Sequence, residues 1–367
     1  MATVLCVLYP DPIDGYPPRY VRDAIPVITH YADGQTAPTP KEPLGFKPGE
    51  LVGCVSGALG LHQYMEASGH RFIVTSDKDG PDSEFEKWLP EADVVISQPF
   101  WPAYLSAERI AKAKKLKLAL TAGIGSDHVD LAAAARANIV VAEVTGSNSI
   151  GVAEHVVMST LALVRNFLPS HRFAEQGGWN IADCVSRSYD IEGMHFGTVG
   201  AGRIGLAVLR RLKPFGLTLH YTQRHRLGAD VERELDLIYH PDAASLASAV
   251  DIVNLQIPLY PSTENLFDAA MLARMRRGAY LINTARAQLV DRDAVVDAVT
   301  SGHLAGYAGD VWFPEPAPTN HPWRTMPFNG MTPHISGTSL SGRPAMRPVL
   351  WRSCNAFSMA SRSGRNI

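Results

Sequence analysis

The chain is poor in the features that mark secreted, metal-binding or nucleic-acid-binding proteins. Four cysteines occur in 367 residues and none forms a CxxC pair, so the sequence indicates neither a zinc site nor a disulfide framework. We therefore expect a reducing, cytoplasmic setting. The formal net charge is −2 at pH 7, and the lack of a basic excess argues against nucleic acid as a partner.

Apolar runs of membrane-spanning character are also missing from the sequence. The longest apolar stretch, IGVAEHVVMSTLALVRNFL, contains Glu154, His155 and Arg165, and it predicts a buried helix instead of a membrane span. The first residues, MATVLCVLYP, lack a basic segment followed by a long apolar run, so we predict no signal peptide. No membrane is expected as a partner.

Short apolar, β-branched runs alternate with helical patterns along most of the chain. Two successive sets of such runs predict parallel strands with helices on both faces. The runs are TVLCVLY, RFIVTS, ADVVIS, LKLALTAG and IVVAEV, followed by HFGTVG, LTLHYT, LDLIYH, DIVNLQI, AYLINTA, LAGYAGDV and GMTPHIS. The prediction is an α/β protein with two Rossmann-like, doubly wound domains, the first flavodoxin-like and the second dinucleotide-binding, and with the active site in the cleft.

The domain boundaries follow from where the strand pattern restarts. We predict a catalytic, substrate-binding domain at 1–148 and a dinucleotide-binding domain at 149–336, with a long helix near 149–167 between them. The stretch at 10–50 is rich in proline and glycine and predicts a long irregular excursion.

A glycine-rich turn opens the second domain. Gly200, Gly202 and Gly205 form GxGxxG directly after a strand and at the start of a helix, which is the setting in which the motif binds a pyrophosphate. The glycines permit a tight turn, and the helix N-terminus offers N–H groups to phosphate. The alternative is a glycine-rich turn of an α/β protein without a nucleotide.

Gln223 stands 18 positions after Gly205, where a dinucleotide fold usually has an acid that binds the ribose. A carboxylate there repels a 2′-phosphate, whereas an amide can donate to it. Arg224 and Arg226 add the positive charge with which a phosphate pairs. The pattern predicts a preference for NADP over NAD. The alternative is that Gln223 merely weakens NAD binding and that the arginines are solvated.

Three polar residues follow later strands of the same domain: Arg286 in LINTARAQLVD, Glu315 in GDVWFPEPAP and His334 in MTPHISGTS. An arginine, a carboxylate and a histidine at strand ends suit a small carboxylate substrate beside nicotinamide, since ligands of open α/β sheets lie outside the carboxyl ends of strands. Without Arg286 and Glu315, His334 could equally be a loop histidine whose hydrogen bonds have no catalytic role.

The order of these motifs resembles the D-2-hydroxy acid dehydrogenase superfamily. Further sequence segments resemble those of its metal-independent, nicotinamide-dependent formate dehydrogenases, and YTQRHR resembles the segment of their NADP-using branch. These segments are SDKDGPDSEFE, VVISQPFWPAYL, LTAGIGSDHVDL, VTGSNS, VAEHVVM, GGWNIADC, LQIPLYPSTE and HPWRTMPFNGMTPHISGTS. The resemblance extends to about Leu340. It implies hydride transfer from formate to nicotinamide C4, without a metal, in a homodimer.

The resemblance also implies a role for each matching residue. Arg286 would hold the formate carboxylate, Asn148 would donate its amide, and Ile124 would offer its backbone N–H. Pro99 and Phe100 would form an apolar wall, and His334 would bind formate while residue 315 orients it. Without the resemblance, Asn148 could equally be a helix N-cap residue, and Phe100 could equally be an aromatic residue of the hydrophobic core. The expected cofactor-binding residues are Gly200, Gly202, Arg203, Ile204, Gly205, Gln223, Arg224, Pro258, Thr284, Asp310, His334, Ser336 and Gly337.

Two features depart from the family pattern. Glu315 occupies a position where formate dehydrogenases usually have glutamine and where 2-keto acid reductases have glutamate, whose charge favours an imidazolium. The tail at 341–367 also does not fit the pattern. If Pro344–Ile367 is back-translated with suitable codons and read one base earlier, it spells ARYAAGTLEILQCFFDGKPIRSEY. We therefore predict an aberrant, frameshifted tail caused by a one-base deletion near Gly342 or Arg343.

Two rival functions stay open from the sequence. Glu315 favours a D-2-hydroxy acid dehydrogenase or 2-keto acid reductase, whereas the segments SQPFW and GIGSD favour formate as the substrate. The aberrant tail leaves room for an inactive relative that binds nucleotide without turnover.

Overall fold

The computed structural model describes residues 1–8, 65, 67–144, 146 and 148–339. The predicted excursion at 10–50 and the predicted tail at 341–367 lie outside the described residues. The described residues fall into two units. One contains the described residues up to Asn148, with Thr338 and Ser339, and the other is Ser149–Gly337.

The first unit contains a parallel sheet of five strands in the order β2-β1-β3-β4-β5. This is the flavodoxin-like order of doubly wound sheets. The strands are β1 (Thr3–Val7), β2 (Arg71–Thr75), β3 (Val94–Ser97), β4 (Leu118–Thr121) and β5 (Val140–Glu143). The described helices are α1 (Glu84–Trp88), α2 (Ala107–Lys112) and α3 (Leu131–Arg136).

Each of these helices begins where a polar side chain caps it. Ser83, Ser106 and Asp130 accept hydrogen bonds from N–H groups of the first turns of α1, α2 and α3, respectively. Such caps satisfy donors that have no partner within the helix. These three polar residues therefore determine where α1, α2 and α3 begin after the preceding loops.

The second unit contains a parallel sheet of seven strands in the order β12-β11-β10-β9-β6-β7-β8. Successive strands are added in one direction from β6 to β8 and in the opposite direction from β9 to β12. Doubly wound sheets bind nucleotides at the point between β6 and β9 where this order reverses. The strands are β6 (His195–Val199), β7 (Thr218–Thr222), β8 (Ile238–Tyr239), β9 (Ile252–Leu255), β10 (Ala279–Asn283), β11 (Leu304–Gly309) and β12 (Asn329–Met331). The helices are α4 (Ser149–Val164), α5 (Phe167–Glu175), α6 (Ile181–Val185), α7 (Arg203–Leu212), α8 (Ala229–Leu235), α9 (Ala243–Ala249), α10 (Ala269–Arg274) and α11 (Arg292–Thr300).

The central strands of this sheet are buried on both faces. In β10, all five residues are buried, and neighbours alternate between two hydrophobic clusters: Leu281 belongs to one and Ile282 to the other. Alternate side chains of a strand point to opposite faces, so each face needs its own layer of helices. This explains why these strands are continuously apolar in sequence.

The predicted fold class is confirmed, since all twelve predicted strands form two parallel sheets. The predicted helix near 149–167 is shorter than expected. It ends at Val164, and Asn166, with φ +50°, is the N-cap residue of α5. Asparagine tolerates this left-handed conformation better than most residues do. No helix within the described ranges is long and apolar enough to cross a bilayer.

Candidate active site

The carboxyl edge of the seven-stranded sheet collects most of the predicted site residues. They follow five of its seven strands: Gly200 after β6, Gln223 after β7, Thr284 and Arg286 after β10, Asp310 after β11, and His334 beyond β12. Carboxyl ends of parallel strands lie on one edge, and ligands of such sheets bind there.

The glycine turn at this edge is shaped by close backbone contacts. Gly200 has φ +97°, and a Cβ there would lie 2.4 Å from the carbonyl oxygen of Gln256. A Cβ at Gly205 would lie 2.1 Å from the carbonyl oxygen of Gly200. Both positions therefore require glycine for the protein's own packing.

Gly202 differs from its two neighbouring glycines. A Cβ added at Gly202 would meet no atom of the described residues within 4 Å. Gly202 precedes α7, whose first residues are the exposed Arg203 and the half-buried Ile204. Open space beside the N–H groups of a helix N-terminus suits a phosphate group. The residues present therefore fit a dinucleotide.

A row of polar side chains crosses the strand ends at the point where the strand order reverses. Asn254 Nδ2 donates to Thr198 Oγ1 at 3.1 Å, and Gln256 Nε2 donates to Thr284 Oγ1 at 2.5 Å. The sequence prediction included Thr284 but missed Asn254 and Gln256. Their signal was a pair of polar amides at the end of the otherwise apolar run DIVNLQI.

The turn after β7 contains the predicted ribose-binding residues. Gln223 is half-buried, and its Nε2 donates to the carbonyl oxygen of His225 at 2.6 Å. The side chain of Arg224 is exposed and has no ion pair within the described residues. Arg226 differs, because its guanidinium pairs with Glu232 at 2.7 Å. The two arginines of the turn are therefore not equivalent.

Arg286 follows β10 in extended conformation and is half-buried. The fully buried Asn283 donates from Nδ2 to the backbone carbonyl of Arg286 at 2.8 Å. Arg286 Nη1 donates to the carbonyl of Ala285 at 2.7 Å. A buried asparagine thus fixes the backbone from which the arginine projects, and the sequence prediction missed this residue.

His334 and Glu315 form a close pair. The ring nitrogen Nδ1 lies 2.8 Å from Oε2 and 3.0 Å from Oε1 of Glu315. The backbone N–H of Trp312 donates to Oε1 at 2.8 Å, and its indole N–H donates to the carbonyl of Thr332 at 2.7 Å. Trp312 therefore fixes both the carboxylate and the start of the segment that contains His334.

Asp310 is fully buried and accepts three hydrogen bonds from one segment. Its donors are the N–H groups of Ile335 at 2.8 Å and Ser336 at 2.6 Å, and the hydroxyl of Thr332 at 2.5 Å. His155 Nε2 lies 3.1 Å from the same hydroxyl oxygen. Burial lowers the pKa of His155, although the charge of Asp310 opposes this shift. His155 and Thr332 were not predicted.

The remaining predicted cofactor-binding residues of this unit differ in burial. Pro258 is exposed, and its carbonyl accepts a hydrogen bond from the hydroxyl of Thr263 at 2.8 Å. Ser336 is buried and Gly337 is half-buried. A Cβ at Gly151 would lie 3.0 Å from the carbonyl of Ser336, so α4 packs closely against this segment.

The predicted residues of the first unit lie at the carboxyl edge of its own sheet. Pro99 and Phe100 follow β3, and Ile124 follows β4. A Cβ at Gly123 would lie 2.8 Å from Cγ of Pro99, so the two loops are in contact. In the described part of the chain, Oδ1 of Asn148 is buried and has no hydrogen-bond partner.

Neither described unit contains three or more His, Cys, Asp or Glu side chains grouped so that they could hold a metal ion. The second unit has a cationic arginine, a histidine–carboxylate pair and a glycine turn suited to a dinucleotide. Such a set can hold a small anion and stabilise charge near it.

The chain is similar to known dehydrogenases. Residues 157–336 match the family model of the D-isomer specific 2-hydroxyacid dehydrogenase, NAD binding domain. The formate dehydrogenase of Pseudomonas sp. (strain 101) is 65% identical over 343 residues, which cover 94% of this chain and 85% of that protein. The chain belongs to the formate dehydrogenase family.

Solved formate dehydrogenases share its fold. That of Granulicella M. is 64% identical, with a TM-score of 0.87 over 100% of this chain and 96% of the other. The NAD-dependent formate dehydrogenase of Staphylococcus aureus, solved in complex with NAD, is 39% identical, with a TM-score of 0.78 over 97% and 95%. Within this family, Glu315 and Gln223 are the positions at which we expect a difference from common members.

Proposed function

We propose that the chain oxidises formate to carbon dioxide, with transfer of the formate hydride to C4 of a nicotinamide dinucleotide. The observation that carries the proposal is the 65% identity over 343 residues to a formate dehydrogenase. Formate reacts as an anion, so no proton has to be removed before the hydride leaves. The work of the protein is then positioning and electrostatic stabilisation.

Five side chains have proposed roles at formate. Arg286 binds the carboxylate, Asn148 donates its amide to an oxygen, and His334 donates a hydrogen bond. The backbone N–H of Ile124 is a further donor. Pro99, together with Phe100, supplies an apolar wall, and exclusion of water strengthens the polar contacts that remain. Glu315 acts through His334 by fixing its ring.

The dinucleotide, when bound, supplies the hydride acceptor. We propose that the turn from Gly200 to Gly205 and the N-terminus of α7 hold its phosphates, and that the nicotinamide lies near Thr284 and Asp310. Asp310 already accepts three hydrogen bonds, and a carboxylate has room for a fourth. We propose NADP as the preferred cofactor, with NAD also accepted. The support is the amide of Gln223 and the exposed side chain of Arg224, which forms no ion pair with any described residue.

The proposal also covers the roles of the two units and the oligomeric state. The first unit binds substrate, the second binds the dinucleotide, and two copies of the chain form a dimer. The support for a dimer is a group of exposed apolar side chains on and after α4, α5 and α6. They are Met158, Phe167, Trp179, Ile181, Val185 and Tyr189. A reducing cytoplasm fits the scattered cysteines.

The experiment is a kinetic comparison on one preparation of the purified chain. Formate-dependent reduction of NADP and of NAD is followed, and kcat/KM is obtained for each. A larger kcat/KM with NADP supports the preference, and a larger value with NAD rejects it. Cofactor binding without any formate-dependent reduction would reject catalysis and support the inactive, nucleotide-binding alternative.

A second function, reduction of a small 2-keto acid, is favoured by one observation. The carboxylate of Glu315 contacts His334 Nδ1 with both oxygens, and a charged histidine could give a proton to a keto oxygen. Glyoxylate and hydroxypyruvate with reduced cofactor are the substrates to compare with formate. A higher kcat/KM for either than for formate would replace the first proposal.

A further inference from the structure

The turn that follows β7 is held by one carboxylate, that of Glu232 on α8. Arg226 donates from Nε and Nη2 to its two oxygens, at 2.7 and 3.0 Å. The hydroxyl of Tyr221 also donates to Glu232, and the same hydroxyl accepts from the backbone N–H of Leu227 at 3.0 Å. Glu232 therefore connects the last part of β7 to the end of the turn.

The guanidinium of Arg226 is fixed in direction as well as in charge. A two-point contact between guanidinium and carboxylate sets the plane of both groups. The guanidinium carbon also lies 5.1 Å from the ring centre of Tyr239, within the range of a cation–π contact. The hydrogen bonds from Arg226, and then from Tyr221, lower the pKa of Glu232, so it stays ionised at neutral pH.

Arg224 has none of these restraints. Its side chain is exposed, and no described residue forms an ion pair with it. Gln223, the other predicted phosphate donor, gives one amide hydrogen to the carbonyl of His225 and retains a second. Of the two cations in the turn, one therefore has its charge available and the other is neutralised.

We propose that Glu232 is a specificity-determining residue, which withholds Arg226 from the 2′-phosphate of NADP so that Arg224 supplies the cationic contact. This inference rests on the proposed 2′-phosphate site and concerns how strongly that site selects NADP. A phosphate that drew Arg226 away would have to break a two-point contact and would leave a carboxylate of its own sign nearby.

Substitution Glu232→Gln tests the proposal with little change of shape. The amide oxygen can still accept from Tyr221, while the charge that holds Arg226 is lost. We expect the ratio of kcat/KM for NADP to kcat/KM for NAD to rise about fivefold or more, as charge-assisted hydrogen bonds imply. Because both values come from one preparation, partial unfolding of a variant cancels in the ratio.

The matched control is the double variant Glu232→Gln with Arg226→Gln. It replaces the neutral ion pair by two neutral amides, so the net local charge equals that of the unsubstituted chain. We expect its ratio to stay within about twofold of the starting value, because Arg226 makes no contact with the phosphate. The single variant Arg224→Gln should lower the ratio by about tenfold.

Two outcomes overturn the proposal. One is a ratio that does not change in Glu232→Gln. The other is a double variant that loses NADP selectivity as strongly as Arg224→Gln, since Arg226 would then contact the phosphate in the unsubstituted chain. A starting ratio in favour of NAD would defeat only the proposed NADP preference. A rise of the ratio in Glu232→Gln would still support the role of Glu232.

Discussion

Nδ1 of His334 lies within 3.0 Å of both carboxylate oxygens of Glu315. An ionised carboxylate only accepts hydrogen bonds, so Nδ1 carries a hydrogen in both charge states of the ring. Glu315 therefore fixes the position of the hydrogen on Nδ1 of His334 and places a carboxylate directly beside the ring.

The first prediction concerns Glu315→Gln. The carboxylate of Glu315 lies beside a ring that contacts formate in the proposed site, so we expect KM for formate to depend on pH. In Glu315→Gln the amide retains the hydrogen bond without the negative charge, and the profile should be flatter. The measurement is KM and kcat for formate across the range in which histidine titrates.

The matched control for Glu315→Gln is His171→Gln, at an exposed histidine of the same unit, whose formate profile should equal that of the unsubstituted chain. Superimposable formate profiles for Glu315→Gln and the unsubstituted chain would show that the charge of Glu315 does not affect formate binding. The carboxylate would then be only a hydrogen-bond acceptor for the ring.

The second prediction concerns the hydroxyl of Thr332, which donates to the buried Asp310 and lies 3.1 Å from Nε2 of His155. Thr332→Val keeps the shape but removes the donor, so Asp310 holds the segment around His334 less firmly. We expect kcat with formate to fall about tenfold, since a lost buried hydrogen bond costs about 1–3 kcal/mol. Thr332→Ser keeps the hydroxyl and should restore most of the activity. Equal kcat values in the two variants would exclude this positioning role.

The strands and the residues at their ends could be predicted from sequence, because their signals are local. Continuous apolar runs, glycine spacing and polar residues at strand ends all occupy short windows. The contacts that join distant parts of the chain have no such signal. His155 and Thr332 are 177 positions apart, and nothing in either segment identifies the other as its partner. The sequence also did not predict the ion pair between Arg226 and Glu232. In the sequence, an arginine that binds a phosphate looks the same as one that is solvated or paired with a carboxylate.

The third prediction separates packing from ligand binding in the glycine turn. In Gly205→Ala the new Cβ would lie 2.1 Å from the carbonyl of Gly200, so the variant should lose about 1–3 kcal/mol of stability. In Gly202→Ala the Cβ enters open space, so the melting temperature should not change. It should nevertheless raise Kd for both dinucleotides roughly tenfold or more, because it occupies room next to the helix N-terminus. Unchanged affinity in Gly202→Ala would show that the phosphates bind elsewhere.

The fourth prediction concerns the exposed apolar side chains of the second unit. Trp179 is 89% exposed and Ile181 is 68% exposed, which is unusual for such large apolar residues. We expect the chain to sediment as a dimer and Trp179→Glu with Ile181→Glu to raise the dissociation constant roughly a hundredfold. Leu131→Glu, on α3 of the first unit, is the matched control and should leave the dimer intact. A monomer at all concentrations in the unsubstituted chain would reject the dimer.

The last prediction concerns three imidazoles that form a hydrogen-bonded row across β6, β7 and the end of β8. Nε2 of His220 lies 2.8 Å from Nδ1 of His195, and its Nδ1 lies 2.9 Å from Nε2 of His240. Burial, followed by the charges of His240, His195 and Arg276 and against that of Asp251, lowers the pKa of His220 from 6.5 to about 4. Between about pH 6.5 and 4, His220 is therefore protonated in the unfolded chain but not in the folded chain.

The contribution of His220 to stability should thus be complete above pH 6.5 and should be lost as the pH falls towards 4. The loss amounts to about 3 kcal/mol. His220→Gln removes the titrating group, so its free energy of unfolding should decline less over this interval than that of the unsubstituted chain. Urea denaturation at several pH values measures both declines, and carboxylates that titrate in the same range cancel in the comparison. His225→Gln, at an exposed histidine of the same unit, should keep the full decline. Parallel curves for His220→Gln and the unsubstituted chain would mean that His220 is not responsible for the acid sensitivity.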